Sequence, residues 1–152
     1  LDPDLVRAVV REESAFRSEA LSRAAAIGLM QLLWPTAVYI AGPGPTRPLS
    51  REDLTDPTLN VRLGGRYLKR MIGAFDRIPV ALAGYNAGPG RTRSWLRRHR
   101  GERVDEFLES LPIQGTARYA KKILSSRAYY TFLYSQRLIE VGPEMLRLSS
   151  GS

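Results

Sequence analysis

Glu13, in the run Glu13-Ser14-Ala15-Phe16, is the side chain in this sequence best placed for proton-transfer chemistry. At about 100° per residue, Leu5, Val6, Val9, Val10 and Phe16 share one side of a helix, and Asp4, Arg7, Arg11 and Ser14 share the other. Glu13 has Val6, Val9, Val10 and Phe16 as its i−7, i−4, i−3 and i+3 neighbours, so it points near the middle of the apolar stripe. Glu12 lies on the flank, closer to water. A carboxyl held in an apolar wall keeps its proton near neutral pH and can donate it. The same pattern also fits a buried glutamate paired with an arginine. Desolvating an unpaired carboxylate is costly enough that such a residue needs a partner, a proton or a chemical task. A glycine-led stretch, Gly28-Leu29-Met30-Gln31-Leu32, comes next and offers backbone and side-chain amides.

Helices must position these groups. Asp2-Pro3 is a start signal, with an Asp side chain to cap free N–H groups and Pro at the first helical position. Ser50-Arg51-Glu52-Asp53 has the form of a capping box opening a short helix. Asp56-Pro57 repeats the start signal and leads into a stripe of Gly64, Tyr67, Leu68, Met71, Ile72 and Phe75. Gly64 and Gly65 within that helix predict a close helix crossing. A short helix is expected over 80–87, stopped by Gly88-Pro89-Gly90. A long one is expected from about Gly115 to Glu140, with Tyr119, Ile123, Leu124, Tyr130, Leu133 and Tyr134 along it. The Gly- and Pro-rich stretch from Gly42 to Pro48 reads as an exposed connection that could flank a groove. Period-two alternation is scarce, and there is no internal repeat. The fold class is therefore all-α.

Composition narrows the function. A length of 152 residues with 43% hydrophobic content suits one compact domain with a core. No apolar run is long enough to span a bilayer, and no leader is evident. The chain begins at Leu1, as expected of a processed form or an excised domain whose export signal lies elsewhere. The absence of cysteine excludes disulfides, thiolate zinc sites and cysteine nucleophiles. The single histidine, His99, argues against a histidine triad or metal cluster and reads as a solvated surface residue. A net charge of +8 and a pI near 10.3 call for a polyanionic partner or environment, such as nucleic acid, anionic lipid or cell-wall polymer. The basic residues concentrate in Arg91-Thr92-Arg93-Ser94-Trp95-Leu96-Arg97-Arg98-His99-Arg100. That run reads as a basic helix exterior with Trp95 and Leu96 facing the core, in preference to a nucleic-acid surface.

Several motifs occur in order. They are Glu13-Ser14-x-Phe16, Ser22, Gly28-Leu29-Met30-Gln31, Pro35-x-Ala37, Asn60 with Gly64 and Tyr67-Leu68, and Ala83-Gly84-Tyr85-Asn86-Ala87-Gly88-Pro89-Gly90. The likeness continues through Phe107-Leu108-Glu109-Ser110-Leu111-Pro112 and Tyr119 to Tyr129-Tyr130. In register, these resemble the catalytic domain of the soluble lytic transglycosylases, glycoside hydrolase family 23. The resemblance implies a lysozyme-like, goose-type helical domain with a substrate groove over residues 1–148, followed by a disordered tail, 149–152.

The resemblance further implies cleavage of the β-1,4 bond between N-acetylmuramic acid and N-acetylglucosamine in peptidoglycan, with 1,6-anhydro ends as product. Glu13 would be the single acid that first donates and then recovers a proton. Most glycosidases need two carboxylates. Here the substrate's own C6 hydroxyl replaces the second, an intramolecular reaction of high effective concentration. Ser22, Gln31 and Asn86 would meet N-acetyl and hydroxyl groups, Tyr85 the charge forming at the anomeric carbon, Met30 an apolar wall and Tyr119 the groove. As residues alone, Ser22 and Asn86 are equally caps or turn formers, Gln31 an exposed amide, and Tyr85 and Tyr119 core aromatics. No metal or organic cofactor is implied. The partner is peptidoglycan glycan strands, with no nucleic acid and no membrane span, acting as a monomer in the cell envelope, periplasmic or exported. A lysozyme-type hydrolase and a weakly active wall-binding module are the alternatives. This chain departs from the family at Gly115-Thr116, where Glu commonly precedes Thr, and at Ser22-Arg23-Ala24-Ala25-Ala26, where Gly commonly holds the fourth place. Leu33 stands where Met is frequent.

Overall fold

The computed structural model describes residues 1–43 and 48–139. The expected connection over 42–48 therefore lies partly outside the described residues, and the expected tail lies wholly outside them. Contacts gather into two compact units, Leu1–Lys69 and Arg70–Ser152.

In the first unit, helix α1 runs Pro3–Ser14 with Asp2 as its cap, the Asp2 side chain accepting from the Asp4 N–H at 2.9 Å. Leu5, Val9 and Val10 are buried as the stripe requires, Val6 is half-buried, and Ala8, outside the stripe, is buried as well. Phe16, Asp4 and Ser14 depart from it. Ala15 turns left-handed (φ 50°, ψ 41°) and caps α1, so Phe16 lies beyond the helix and is 54% exposed. Asp4 and Ser14, assigned to the polar side, are buried. Each is satisfied locally: Asp4 accepts from Arg7 at 2.6 Å, and Ser14 Oγ donates to the Val10 carbonyl at 3.0 Å.

A two-residue hairpin, β1 (Ala26–Ile27) with β2 (Leu32–Leu33), runs antiparallel with Ala26 opposite Leu33, and α2 (Trp34–Ala41) comes next. The Ser50 box forms reciprocally: Ser50 N–H donates to Asp53 Oδ2 at 2.8 Å and Asp53 N–H to Ser50 Oγ at 3.3 Å. It opens a 3-10 turn, Glu52–Thr55. Asp56 then caps α3 (Pro57–Phe75), accepting from Leu59 N–H at 2.6 Å. Gly64 does not serve a helix crossing. A Cβ there would lie 2.5 Å from Met30 Sδ, so the glycine makes room for a side chain.

The second unit is built around α4 (Ile78–Ala87), whose residues 80–85 are all buried. A segment this apolar on every side has no solvent face and belongs at the centre of a unit. It packs on α5 (Pro89–Arg98), α6 (Val104–Glu109) and α7 (Gln114–Ser135). Pro79, expected to precede α4, sits in its first turn. Gly88-Pro89-Gly90 stops α4 as expected, with Gly88 at φ 89°, and Pro89 is already the first residue of α5. Trp95 is buried as expected, whereas His99 is half-buried and pairs with Glu102 at 3.0 Å. α7 ends earlier than expected, with Gln136 left-handed, and Leu133 and Tyr134 near its end are exposed.

The turn at 22–26 closes with an alanine in a conformation suited to glycine, because Ala25 has φ 60°. Ser22 holds it three ways. Its carbonyl accepts from Ala25 N–H, its N–H donates to the Ala26 carbonyl, and its Oγ accepts from Ala26 N–H, each at 3.0 Å. Left-handed backbone costs a residue with a Cβ about 1–2 kcal/mol, partly offset by the extra unfolded-state entropy of glycine. Ala25→Gly is therefore expected to raise unfolding free energy by roughly 0.5–1 kcal/mol in denaturant melts. A loss would mean that the turn carries no such strain.

Candidate active site

α1 ends one residue after Glu13, and the hydrogen bonds of residues 14–17 fix the chain's exit. Ala15 N–H reaches back to the Arg11 carbonyl at 2.9 Å, and the Ser14 carbonyl accepts both Arg17 N–H at 3.1 Å and Arg17 Nε at 3.3 Å. Glu13 itself is half-buried, one turn beyond the buried pair Val9 and Val10. Glu12 is half-buried as well, so burial does not separate the two acids as strongly as the stripe implied. Beyond α1 the chain lines an open hollow of about 530 Å³ between Phe16 and Leu21.

The glycine-led segment is held by one side chain. Asn60, fully buried on α3, accepts from Met30 N–H at 2.8 Å through Oδ1, while its Nδ2 donates to the carbonyls of Ile27 at 2.9 Å and Leu54 at 2.8 Å. Gly28 is required where it stands: at φ 82°, a Cβ would lie 2.2 Å from Asn60 Nδ2. Gln31 also has a left-handed backbone, φ 47°, and its Nε2 donates to the Ala20 carbonyl at 2.9 Å and to the Gly28 carbonyl at 3.0 Å.

These bonds set the polarity left for a ligand. Both Gln31 amide hydrogens are used, leaving Oε1 as an acceptor. Ser22 Oγ accepts from Ala26, leaving its O–H to donate. Met30 is corrected from wall to core: it is 0% exposed, packed in the space that Gly64 leaves. Burial of Tyr67 pushes its hydroxyl above the usual phenol value, so it is a neutral group at physiological pH.

In the second unit, Asn86 is exposed at the end of α4 and accepts from Thr116 Oγ1 at 2.8 Å, which leaves its Nδ2 to donate. Thr116 is 1% exposed, so the bond ties the end of α4 to the start of α7. Tyr119, one turn further along α7, is half-buried, and Tyr85 is buried at 8% exposure. Gly115 is exposed with open space where a Cβ would stand, so packing at that point does not require glycine. The site residues thus fall in two units: Glu13, Ser22, Met30 and Gln31 in the first, and Tyr85, Asn86 and Tyr119 in the second. No cluster of potential metal ligands occurs among the described residues.

From the sequence, Asn60 is visible only as part of a motif, and Thr116 has no role. An asparagine within a helix, four residues before the glycine that admits Met30, was the available signal for the first. Nothing in the spacing marked Thr116.

The profile of the transglycosylase SLT domain matches residues 1–108, and the chain belongs to that family. It has the family's lysozyme-like helical fold. It is 36% identical over 137 residues to the soluble lytic murein transglycosylase of Escherichia coli K12, a match covering 86% of this chain and 21% of that protein. The chain thus spans about a fifth of the length of the curated relatives it matches. Among solved structures, the inactive-mutant lytic transglycosylase Slt of Pseudomonas aeruginosa superposes with a TM-score of 0.86 at 33% identity, over 97% of this chain and 24% of that one. A 70-kDa soluble lytic transglycosylase in complex with bulgecin A gives 0.86 at 30% identity, over 97% and 25%.

Removing Asn60 breaks three buried hydrogen bonds, each loss costing about 0.5–1.5 kcal/mol, and up to about 3 kcal/mol where the group finds no other partner. Asn60→Ala is expected to lose roughly 3–5 kcal/mol in equilibrium unfolding. A loss below about 1 kcal/mol would show that the three bonds do not fix the segment.

Proposed function

We propose that this domain is a peptidoglycan lytic transglycosylase. It cleaves the bond between N-acetylmuramic acid and N-acetylglucosamine without water and leaves 1,6-anhydro-muramic ends. The observation that carries the reading is the half-buried Glu13 at the end of α1, in a chain of the transglycosylase SLT family. Glu13 gives its proton to the glycosidic oxygen as the C1–O4 bond breaks. The resulting carboxylate takes the proton of the C6 hydroxyl, whose oxygen closes on C1. The protons balance on one residue, and no external nucleophile enters.

The fixed polarities suit an N-acetylated sugar chain. Ser22 O–H and Asn86 Nδ2 supply donors for acetamido carbonyls or hydroxyl oxygens, and Gln31 Oε1 supplies an acceptor for an amide or hydroxyl hydrogen. Tyr119, half-buried on α7 of the second unit, carries aromatic surface and a hydroxyl group suited to a sugar ring. The place of action is the cell envelope, where the polymer lies, and the domain acts as a monomer.

Digestion of purified sacculi tests the reading by the mass of the products. The wild-type chain is expected to release muropeptides lighter by one water than the hydrolytic products. Glu13→Gln is expected to lose activity by on the order of 100-fold or more, since general acid and base work both vanish. Products of full hydrolytic mass would assign the site to a hydrolase. Unchanged activity in Glu13→Gln would remove Glu13 from the chemistry.

A further inference from the structure

Helix α5 carries Arg91, Arg93, Arg97 and Arg98 and no acid, and all four are exposed, with Arg100 exposed just beyond. Burial of Thr92 and Trp95 turns their side inward and leaves the guanidinium groups in solvent. Helix stability does not account for the set. Arg97 and Arg98, in the last turn, are favoured by the helix dipole, but Arg91 lies in the first turn, where a cation is disfavoured. Arg93 and Arg97, four residues apart, repel each other. Arg93 rests over the Phe75 ring at 5.7 Å, an uncharged partner.

The fold also withholds counter-charges. In the described part of the second unit, Asp76 pairs with Arg77, Glu102 with His99, Asp105 with Arg103, and Glu109 with Lys121, while Glu106 accepts from Arg103 N–H. Every acid there is committed outside α5. Among the described residues, Arg91, Arg97 and Arg98 have no ion pair. A same-sign face without internal neutralisation raises the local concentration of an opposite-sign polymer.

We propose that the exposed face of α5 is a docking surface for the carboxylate-bearing peptide stems of peptidoglycan. It would hold the polymer through residues other than those that meet the glycan. The inference rests on the proposed activity for its choice of polyanion. Guanidinium groups suit it, because their paired N–H donors match a carboxylate in two-point contact.

The test compares intact sacculi with sacculi stripped of stem peptides by an amidase, using pelleting affinity at about 50 mM and about 500 mM NaCl. The wild-type chain is expected to bind intact sacculi about tenfold more tightly than stripped ones at low salt, with the difference largely lost at high salt. The triple variant Arg91→Gln, Arg97→Gln, Arg98→Gln is expected to bind intact sacculi as weakly as the wild type binds stripped ones, with unchanged release of anhydro sugars from stripped glycan. Equal wild-type affinity for both sacculi overturns the proposal, as does a folded triple variant that binds intact sacculi undiminished. Loss of binding only to vesicles containing phosphatidylglycerol would assign the face to a membrane and also overturn it. The wild-type comparison needs no variant, so the test stands if the triple variant fails to fold. Absence of product from any substrate would count against the proposed activity and leave the binding result to decide this inference.

Discussion

Asn60 makes three buried hydrogen bonds from one side chain, and the first unit's arrangement depends on them. Its amide joins the hairpin turn at Met30, the strand at Ile27 and the 3-10 turn at Leu54 to α3. These backbone groups belong to three separate short segments, none of which is long enough to hold the others in place. Removing them from water without partners is unfavourable, and satisfying them with a rigid helical side chain selects one loop path. Gly28 and Gly64 are consequences of that path. The first lets Asn60 approach the backbone, and the second lets Met30 sit under it. Gln31 then lies where its amide Nε2 can bond Ala20 and Gly28, which leaves Oε1 as its remaining polar atom.

The second unit uses a different device. α4 is apolar on all sides and packs against three helices, so its position is set by burial rather than by a polar clamp. Gly84 permits the close approach of Phe75, because a Cβ there would lie 2.5 Å from the ring. At the helix end, where packing gives way to solvent, Thr116 fixes Asn86 by a hydrogen bond. Both units thus present polar side chains whose one function is used internally and whose other remains for a ligand. A surface orientated in advance avoids part of the ordering cost of binding.

Much of this was legible from local rules. Asp2-Pro3, the Ser50 box and Asp56-Pro57 each made the caps that their chemistry predicts, since a cap needs only neighbouring residues. The α1 stripe predicted its core valines but misplaced Phe16, because periodicity cannot detect a left-handed Ala15 that ends the helix. Gly88-Pro89-Gly90 marked the end of α4 but not the start of α5, because such punctuation also suits a one-residue junction, with Pro opening the next helix. Met30 as a wall and Gly64 as a helix crossing are separate expectations, yet each is the other's explanation. That pairing spans distant sequence positions, and composition carries no trace of it. The polarities of Ser22, Gln31 and Asn86 were equally hidden, because they depend on which backbone groups the fold brings near.

Amide hydrogen exchange at Met30 addresses the clamp most directly. Its N–H lies in a hairpin turn rather than a helix or strand, and the bond to Asn60 and burial shield it. Protection matching that of the central α1 amides is predicted, since opening this bond requires unfolding the unit. Exchange at the pace of an open loop would mean that Asn60 does not hold the segment, and that some other interaction organises the first unit.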